Sequence, residues 1–291
     1  MQKIMIMSDS GCDIEKEIAA QYGIKILQFG ITIGDISFME HEKTKHEFYD
    51  LMDKIEDIPK TAQITPFEFG EVYKELYADG YTDVIFISIS STGSNTFMNS
   101  TKARDDFYEG NPESVGKFRI HLIDSKCYTA VYGYVTLEAA KKAKKGDSAE
   151  SIVAYAQEWC DTAGAYIVPY TLKYARKSGR ISAAAAFAGE LLGLKPIIDM
   201  SDGGSKVIEK VRGEKNVIPR LVKIIDEIIT PQTPYCVIGG KNENDIQELV
   251  SELTKKIGYK PDFVTHVGPA VASNSGNVMV GVVCKRKTKC L

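Results

Sequence analysis

The chain has 291 residues, 44% of them hydrophobic and 26% charged, with a formal net charge of −3, a length that suits two folded domains of roughly 100 to 200 residues. Because this weak negative charge offers no general attraction to nucleic acid or to an anionic membrane surface, we expect neither as a partner. The first apolar run, Met1 to Met7, is far shorter than the core of a signal peptide. No later segment approaches the roughly 18 apolar residues of a membrane span. We therefore expect a soluble, cytoplasmic protein without stable membrane insertion.

The first part of the chain alternates short β-branched runs with amphipathic stretches, which is the pattern of βα units around a mostly parallel sheet. Thr65 followed by Pro66 marks a helix start, since threonine caps helices and proline suits the first helical position. The run 31–38, interrupted by Gly34 and Asp35, predicts a small hairpin. Strands are predicted at 4–7, 24–28, 84–88 and 120–123, and helices at about 14–22, 66–79, 95–107 and 127–145.

The pattern changes from about residue 161. Apolar runs stand at 165–169 and 195–200, with a basic helical segment and an alanine-rich helix at 183–188 between them. A turn at 202–204, a strand at 206–209, two further helix and strand pairs and a buried closing strand at 278–284 are predicted after them. The fold class is therefore α/β. We expect an N-terminal domain over 1–160 on a mostly parallel sheet, and a C-terminal domain over 161–291 on a mixed or antiparallel sheet.

Several familiar catalytic signatures are absent. The sequence contains no GxxxxGKS/T or GxGxxG phosphate cradle and no GxSxG nucleophile elbow. The segment 41–46 resembles a zinc-protease motif, but its histidines are five residues apart, which on a helix separates them by about 140°. We expect a solvated, charged loop there and no metal site. The six cysteines form no CxxC pair, so we expect ordinary buried or surface thiols. The alternative concerns Cys12, which follows the first strand, where a helix N-terminus would lower its pKa.

Hydroxyl and glycine clusters stand at the ends of predicted strands, where ligands bind in open α/β sheets. The clearest is the segment 88–96, which follows one strand and opens a helix at about residue 95. Ser94, together with the N–H groups and positive dipole of a helix start, makes an anion site that needs no catalytic base. The alternative is that Ser94 simply caps its helix, and spacing alone does not decide between the two.

Three further clusters have the same character, each with an ordinary structural alternative. Thr61 offers a hydroxyl donor shortly before the helix that starts at Pro66, although a loop threonine is more often structural. The segment 273–276 presents short donors in a turn. Arg180 lies just before Ser182, a candidate cap of the alanine-rich helix, and is either close to that helix start or a solvated surface residue.

In their order and spacing these residues resemble the DegV family of bacterial fatty-acid-binding proteins, which includes the fatty-acid-carrying subunits of fatty acid kinase. The resemblance covers essentially the whole chain. The segments 8–13, 60–63, 90–96, 122–126, 179–181 and 268–276 are similar to the family's TDSxxD, KTSQ, SSGLSGT, VxDSK, GRI and IGPVxGTHTG.

The resemblance implies two α/β domains with a lipid between them, its carboxylate at the domain interface and its tail in an apolar tunnel. Thr61 and Ser94 would bind the carboxylate with backbone N–H groups near Asn95, and Asn274 and Ser275 would contribute to the same site. Asn274 replaces a family histidine, and asparagine donates a hydrogen bond but carries no charge. Asn95 replaces a glycine.

The resemblance also implies a function. Such a protein binds one long-chain fatty acid, with no cofactor and no catalytic residue of its own, and presents it to a fatty acid kinase catalytic subunit that forms an acyl phosphate for phospholipid synthesis. Arg180, and after it Arg176, is the candidate contact for the partner or the phosphoryl group. The rival hypothesis is a small-molecule phosphotransferase or hydrolase that uses Ser94 as nucleophile. That enzyme needs a base beside Ser94, and His266 is the least implausible of the four histidines.

Overall fold

The structure of the protein, a computed structural model, describes residues 2–185 and 193–287. The strands in these ranges are β1 (Ile4–Asp9), β2 (Lys25–Leu27), β3 (Gly30–Ile33), β4 (Ile36–Met39), β5 (Lys60–Ala62), β6 (Asp83–Ser88), β7 (Arg119–Asp124), β8 (Ala163–Pro169), β9 (Leu194–Asp199), β10 (Lys206–Arg212), β11 (Tyr235–Gly239), β12 (Phe263–His266) and β13 (Met279–Lys285). The helices are α1 (Lys16–Tyr22), α2 (Lys45–Lys54), α3 (Pro66–Ala78), α4 (Thr96–Gly110), α5 (Ala130–Lys145), α6 (Ala149–Thr162), α7 (Lys173–Ser178), α8 (Ser182–Ala185), α9 (Val217–Ile228), α10 (Glu243–Ile257) and α11 (Pro269–Ser275).

The first sheet is parallel throughout, in the order β2-β1-β6-β7. Its central strand β6 is buried at every position, as expected for a parallel strand covered on both faces. The helix α3 begins at the predicted Pro66, where Thr65 and Glu68 form a reciprocal capping box. The four strands predicted for this part of the chain and their parallel arrangement are confirmed.

The second sheet has six strands in the order β10-β9-β8-β13-β11-β12. It is mixed, because β11 and β12 run parallel while the other neighbours are antiparallel. The strand β13, which comes last in the chain, lies between β8 and β11 and is buried over most of its length. This arrangement confirms the predicted mixed sheet and the buried closing strand.

A third, antiparallel sheet in the order β4-β3-β5 contains the predicted hairpin. Its third strand, β5, was not predicted, because three residues are too few to show an alternating pattern. The strand pairs Thr61 with Ile31. Thr61 therefore belongs to a sheet and not to the loop that the sequence suggested.

The prediction of a charged loop at 41–46 is wrong in its second half. Residues from Lys45 onwards form α2, which begins with a capping box between Thr44 and Glu47 and buries Phe48 and Tyr49. The first turn of α2 is exposed and charged, so the helical spacing of the apolar residues after it was not recognised in the sequence. The helix α6 was also not predicted. The alanine-rich helix is seen as α8, and the rest of its predicted span, from residue 186, lies outside the described residues.

The helix α5 lies between the two larger sheets. It contacts β1 and β6 of the first sheet and β8, β11, β12 and β13 of the second. Most of its residues from Ala130 to Ala140 are buried. One hydrophobic cluster therefore contains residues of both sheets, including Phe86 and Ile238.

A second cluster fills the outer face of the six-stranded sheet under α9 and α10. The change from one sheet to the next falls at β8, which begins at Ala163. The exact division into 1–160 and 161–291 stays a prediction. Over the ranges that the structure describes, no helix has the length and apolar character needed to span a membrane.

Candidate functional site

A cavity of about 900 Å³ lies where the three sheets meet. Its volume is within the range of roughly 300 to 1,000 Å³ that is usual for small-molecule sites. Many of its lining residues are apolar, and they come from the six-stranded sheet, from α11 and from loops: Phe29, Ile89, Ala165, Ile167, Ile181, Met200, Ile238, Val267, Ala270, Val271 and Met279.

Except for Arg176, the residues singled out from the sequence as ligand or partner contacts line this one cavity. They come from four separate parts of the chain: Thr61, Ser94, Asn95, Arg180, Asn274 and Ser275. Segments far apart in sequence thus supply hydroxyl, amide and guanidinium groups to one cavity that also has apolar walls. The individual roles assigned to these residues stay predictions.

Ser94 lies at the start of α4, one residue before the N-cap. The N-cap is Asn95, whose side chain makes no capping hydrogen bond. The Ser94 Oγ accepts a hydrogen bond from the Thr96 N–H at 3.3 Å and lies 2.9 Å from the Thr96 Oγ1. Ser94 is half-buried and lines the cavity. The hydroxyl therefore touches the helix start without being its cap, and it stands beside the positive end of a helix of 15 residues.

The loop before Ser94 packs closely on Tyr128, which the sequence reasoning did not single out. A Cβ atom at Gly93 would lie 2.6 Å from the Tyr128 Oη, so glycine is required for this approach. Tyr128 also lines the cavity. Burial raises the pKa of its hydroxyl. Its position just after the 122–126 motif is a signal that could have identified it.

Asn274 and Ser275 reach the cavity from α11, and both already use a donor within their own helix. The Asn274 Nδ2 donates to the Ala270 carbonyl at 2.8 Å. The Ser275 Oγ donates to the carbonyl of Val271 at 3.2 Å, with Gly276 as a second acceptor at 3.1 Å. In this arrangement Ser94 and Thr61 are better placed than Ser275 to donate to an anion.

Arg180 is exposed and lines the cavity from the loop between α7 and α8. Its guanidinium Nη1 donates to the Ser178 carbonyl at 2.8 Å. Arg176, the second basic candidate, is not among the described residues that line the cavity, and its Nε donates to the Ala184 carbonyl at 3.3 Å. Arg176 thus connects α7 to α8, while Arg180 faces both solvent and cavity.

The DegV family model, described as "Uncharacterised protein, DegV family", matches residues 3–287. The chain belongs to the DegV family. A DegV domain-containing protein of Staphylococcus aureus is 31% identical over 286 residues, which are 96% of this chain and 96% of the relative.

Solved structures resemble this DegV protein over nearly their full length. A stearic acid-binding protein from Eubacterium ventriosum has a TM-score of 0.86 and 22% identity, covering 100% of both chains. A fatty acid binding DegV family protein from Streptococcus agalactiae has a TM-score of 0.85 and 25% identity, covering 99% of this chain and 100% of the other. The predicted family and the fold class of two α/β domains are confirmed.

Three buried carboxylates lie behind the cavity wall of this DegV protein, and the sequence reasoning assigned them no role. The Asp9 carboxylate accepts from the Tyr132 hydroxyl at 2.6 Å and the Ile89 N–H at 2.8 Å. Burial raises the pKa of Asp9 to about 6. Because Ile89 lines the cavity, Asp9 of the first motif helps to fix one of its walls.

The other two carboxylates, Asp13 and Glu40, hold the start of α11. The Asp13 Oδ1 accepts from the Gly268 N–H at 2.7 Å, and the Glu40 Oε1 accepts from the Ala270 N–H at 3.0 Å. Burial raises the pKa of Asp13 to about 7 and that of Glu40 to about 6. Asp13, in the motif at 8–13, thus helps to position α11, which carries the motif at 268–276.

Cys12 is an ordinary buried thiol, and the alternative of a lowered pKa does not hold. Its thiol is fully buried, and burial raises its pKa instead of lowering it, with the nearby Asp9 and Asp13 charges acting in the same direction. The short helix at Ser10–Cys12 includes this residue, so its thiol does not face a helix N-terminus. The other described cysteines are buried as well, and Cys290 lies outside the described residues.

The rival enzyme hypothesis requires a base beside Ser94. None of the four histidines, all within the described ranges, lines the cavity. His266 contacts Glu243, and His121 lies 3.1 Å from the Asp83 carboxylate. In this arrangement no imidazole is placed to accept the Ser94 proton.

Proposed function

We propose that this DegV protein binds a single long-chain fatty acid in the cavity and holds it by its carboxylate. The observation that carries the proposal is the convergence of Thr61, Ser94 and Asn274 on one cavity that also has extensive apolar walls. Two solved structures with the same fold are described as fatty acid-binding and stearic acid-binding proteins, which supports it.

The tail supplies most of the affinity. Burying about 14 methylene groups at roughly 0.8 kcal/mol each contributes on the order of 10 kcal/mol before the cost of ordering the ligand. Residues such as Ile167, Met200 and Met279 offer the apolar surface for this contact. Methionine side chains adapt their shape, so the cavity accommodates tails of different form.

The carboxylate sets the orientation of the ligand. A buried charge is costly unless it is hydrogen-bonded, and hydrogen bonds to an ionised acceptor are about twice as strong as neutral ones. The hydroxyls of Thr61 and Ser94 and the N-terminus of α4 are the proposed donors, and the dipole of this helix favours a negative charge. Ser275 takes a secondary place because its single hydroxyl donor already bonds within α11, whereas Asn274 uses one of its two Nδ2 donors there.

We further propose that the protein is a carrier in the cytoplasm, with no catalytic residue and no cofactor of its own. A kinase catalytic subunit would transfer the terminal phosphoryl group of ATP to a carboxylate oxygen, which yields an acyl phosphate and ADP. Arg180 supports this step because it combines exposure with a place in the cavity lining. Its positive charge would neutralise the incoming phosphoryl group.

The first experiment identifies the ligand directly. The purified protein is denatured, and released lipid is extracted and measured by mass spectrometry. We expect about one fatty acid per chain, or stoichiometric binding when a fatty acid is added to stripped protein. Failure of both would overturn the proposal.

A second experiment separates the carrier from the enzyme. The protein is incubated with ATP and fatty acid, with and without a fatty acid kinase catalytic subunit. Acyl phosphate is expected only when the subunit is present. Turnover by the protein alone would support the rival hypothesis.

A further inference from the structure

Three side chains from distant parts of the chain meet outside the cavity. His46 lies in the first turn of α2, Glu243 is the first residue of α10, and His266 is the last residue of β12. One ligand atom from each lies within 4.8 Å of the other two. The residues that line the cavity, as far as the structure describes them, include none of the three. The fatty acid site does not account for this cluster.

The cluster is centred on one carboxylate oxygen. The Glu243 Oε1 is hydrogen-bonded to the His266 Nε2 and lies 3.8 Å from the His46 Nε2. The centres of the two imidazole rings are 5.4 Å apart. Two ligand atoms of a tetrahedral zinc ion, each about 2.1 Å from the metal, are about 3.4 Å apart. The side chains therefore need only small rotations, and His46 and Glu243 are free to make them because their side chains are 59% and 49% exposed.

The backbone that carries the two histidines is held in place from both sides. The Lys45 Nζ donates to the Thr265 Oγ1 at 3.2 Å, one residue before each histidine. The Tyr49 hydroxyl, one helical turn after His46, donates to the Val267 carbonyl. These contacts fix α2 against the end of β12. The proximity of the two imidazoles thus follows from the packing and not from the chance position of long surface side chains.

We propose that His46, Glu243 and His266 form a binding site for one zinc ion. Two imidazoles and a carboxylate are a ligand set that zinc accepts, whereas magnesium and calcium prefer oxygen ligands alone. A water molecule would occupy the fourth position. The alternative to a zinc site is an ordinary ion pair between Glu243 and His266, which needs no second imidazole. His46 is therefore the residue that distinguishes a zinc site from an ion pair. The bound ion would connect α2 to the six-stranded sheet.

The test is a zinc titration of the full chain in competition with a chromogenic chelator. We expect one ion per chain and at least a tenfold weaker affinity in each of His46→Ala, Glu243→Gln and His266→Ala. The matched control is His41→Ala, which removes an exposed histidine five residues before His46 and leaves the affinity unchanged. The doubly substituted protein, His46→Ala with His266→Ala, keeps all cysteines. Any zinc that it still binds is therefore the amount bound by thiols.

Thermal unfolding gives a second readout. Zinc is expected to raise the Tm of the unchanged protein, since a ligand that binds the folded state stabilises it, and to leave the Tm of His46→Ala unchanged. His46 is exposed on the surface of α2, so its substitution does not prevent folding. The proposal is overturned if the unchanged protein binds no zinc, or if His46→Ala binds it as tightly.

Discussion

The Asp13 Oδ1 accepts a hydrogen bond from the Gly268 N–H at 2.7 Å, which joins the loop after the first strand to the start of the last helix. Glu40 makes the parallel contact to Ala270. Gly268 stands between the two carboxylates, and a Cβ atom there would lie 2.6 Å from the Glu40 Oε1 and 2.9 Å from the Asp13 Oδ1. Both acids are buried, so neither has open space into which to move.

Substitution of Gly268 by alanine is therefore expected to destabilise the protein. Forcing an extra methyl group into a packed site costs about 1 to 3 kcal/mol, and here it also disturbs two buried hydrogen bonds. The free energy of unfolding in urea measures the effect. Gly70→Ala is the matched control, because nothing lies within 4 Å of its added methyl group and alanine suits the interior of α3. That control should gain roughly 0.5 to 1 kcal/mol, and equal stability of the two variants would contradict the interpretation.

The stability of the protein should fall as pH rises from about 4 to about 7. Burial raises the pKa of Asp9 to about 6, of Asp13 to about 7 and of Glu40 to about 6, while in the unfolded chain these groups titrate near pH 4. Between these values the folded state holds more protons than the unfolded state, so each unit of pH lowers the free energy of unfolding. The contribution of the three acids is fully present below about pH 4.

Urea unfolding at a series of pH values provides the measurement. Asp13→Asn removes one of the titrating groups and should make the fall between pH 4 and 7 less steep. Asp50→Asn is a suitable control, because Asp50 is exposed and Lys241 lowers its pKa. A stability that rises over this pH range and is insensitive to Asp13→Asn would contradict the assignment.

Ser94→Ala should weaken fatty acid binding with little effect on the protein without ligand. Loss of a hydrogen bond to a charged group costs about 1.5 to 3 kcal/mol, which is roughly a ten- to hundredfold change in affinity. Asn95 and not Ser94 is the N-cap of α4, so the free energy of unfolding should fall by less than about 1 kcal/mol. Affinity is measured by titration with a fatty acid, and stability by urea unfolding.

Ser148→Ala is the control for this pair of measurements. Ser148 is the N-cap of α6, and its hydroxyl accepts from the Ser151 N–H at 3.2 Å. Its removal should cost about 1 kcal/mol of stability while fatty acid affinity stays the same. If Ser94→Ala behaves in the same way as Ser148→Ala, its hydroxyl is structural and the binding role fails.

Arg180→Ala should reduce acyl phosphate formation by a kinase catalytic subunit more than it reduces fatty acid binding. The guanidinium is exposed, and its contact with Ser178 lies within its own loop, so stability should change little. The ratio of the phosphorylation rate to the bound fatty acid is the quantity to measure. Lys177→Ala, which removes an exposed charge nearby, should leave that ratio unchanged. Equal ratios in both variants would remove Arg180 from the proposed contact.

Much of the fold was predictable because the first part of the chain alternates strand and helix patterns. The parallel first sheet and the buried closing strand follow from such local patterns. The strand β5 did not, since three residues show no period, and α2 did not because charges dominate its first turn. The alternative of a reactive Cys12 fails for a different reason. A thiol near a helix has a low pKa only if solvent reaches it, and burial is decided by packing that local sequence does not reveal.

The candidate site was predictable to a similar degree. Thr61, Ser94, Arg180 and Asn274 were identified from motifs, and they line one cavity. Tyr128 and the three buried acids were missed, because their importance depends on contacts between segments far apart in sequence. The proximity of His46 to His266 is of the same kind. A spacing rule compares residues on one helix, and these two lie on different elements.

The order of strands in the six-stranded sheet bears on how the protein is made. The strand β13 follows β8 and β11 in the chain but lies between them in the sheet. During synthesis β8 and β11 therefore emerge from the ribosome with unpaired edges, which are sites for wrong pairing with other chains. Met279, at the start of β13, belongs to the cavity wall. The cavity thus remains open on one side until β13 has been translated.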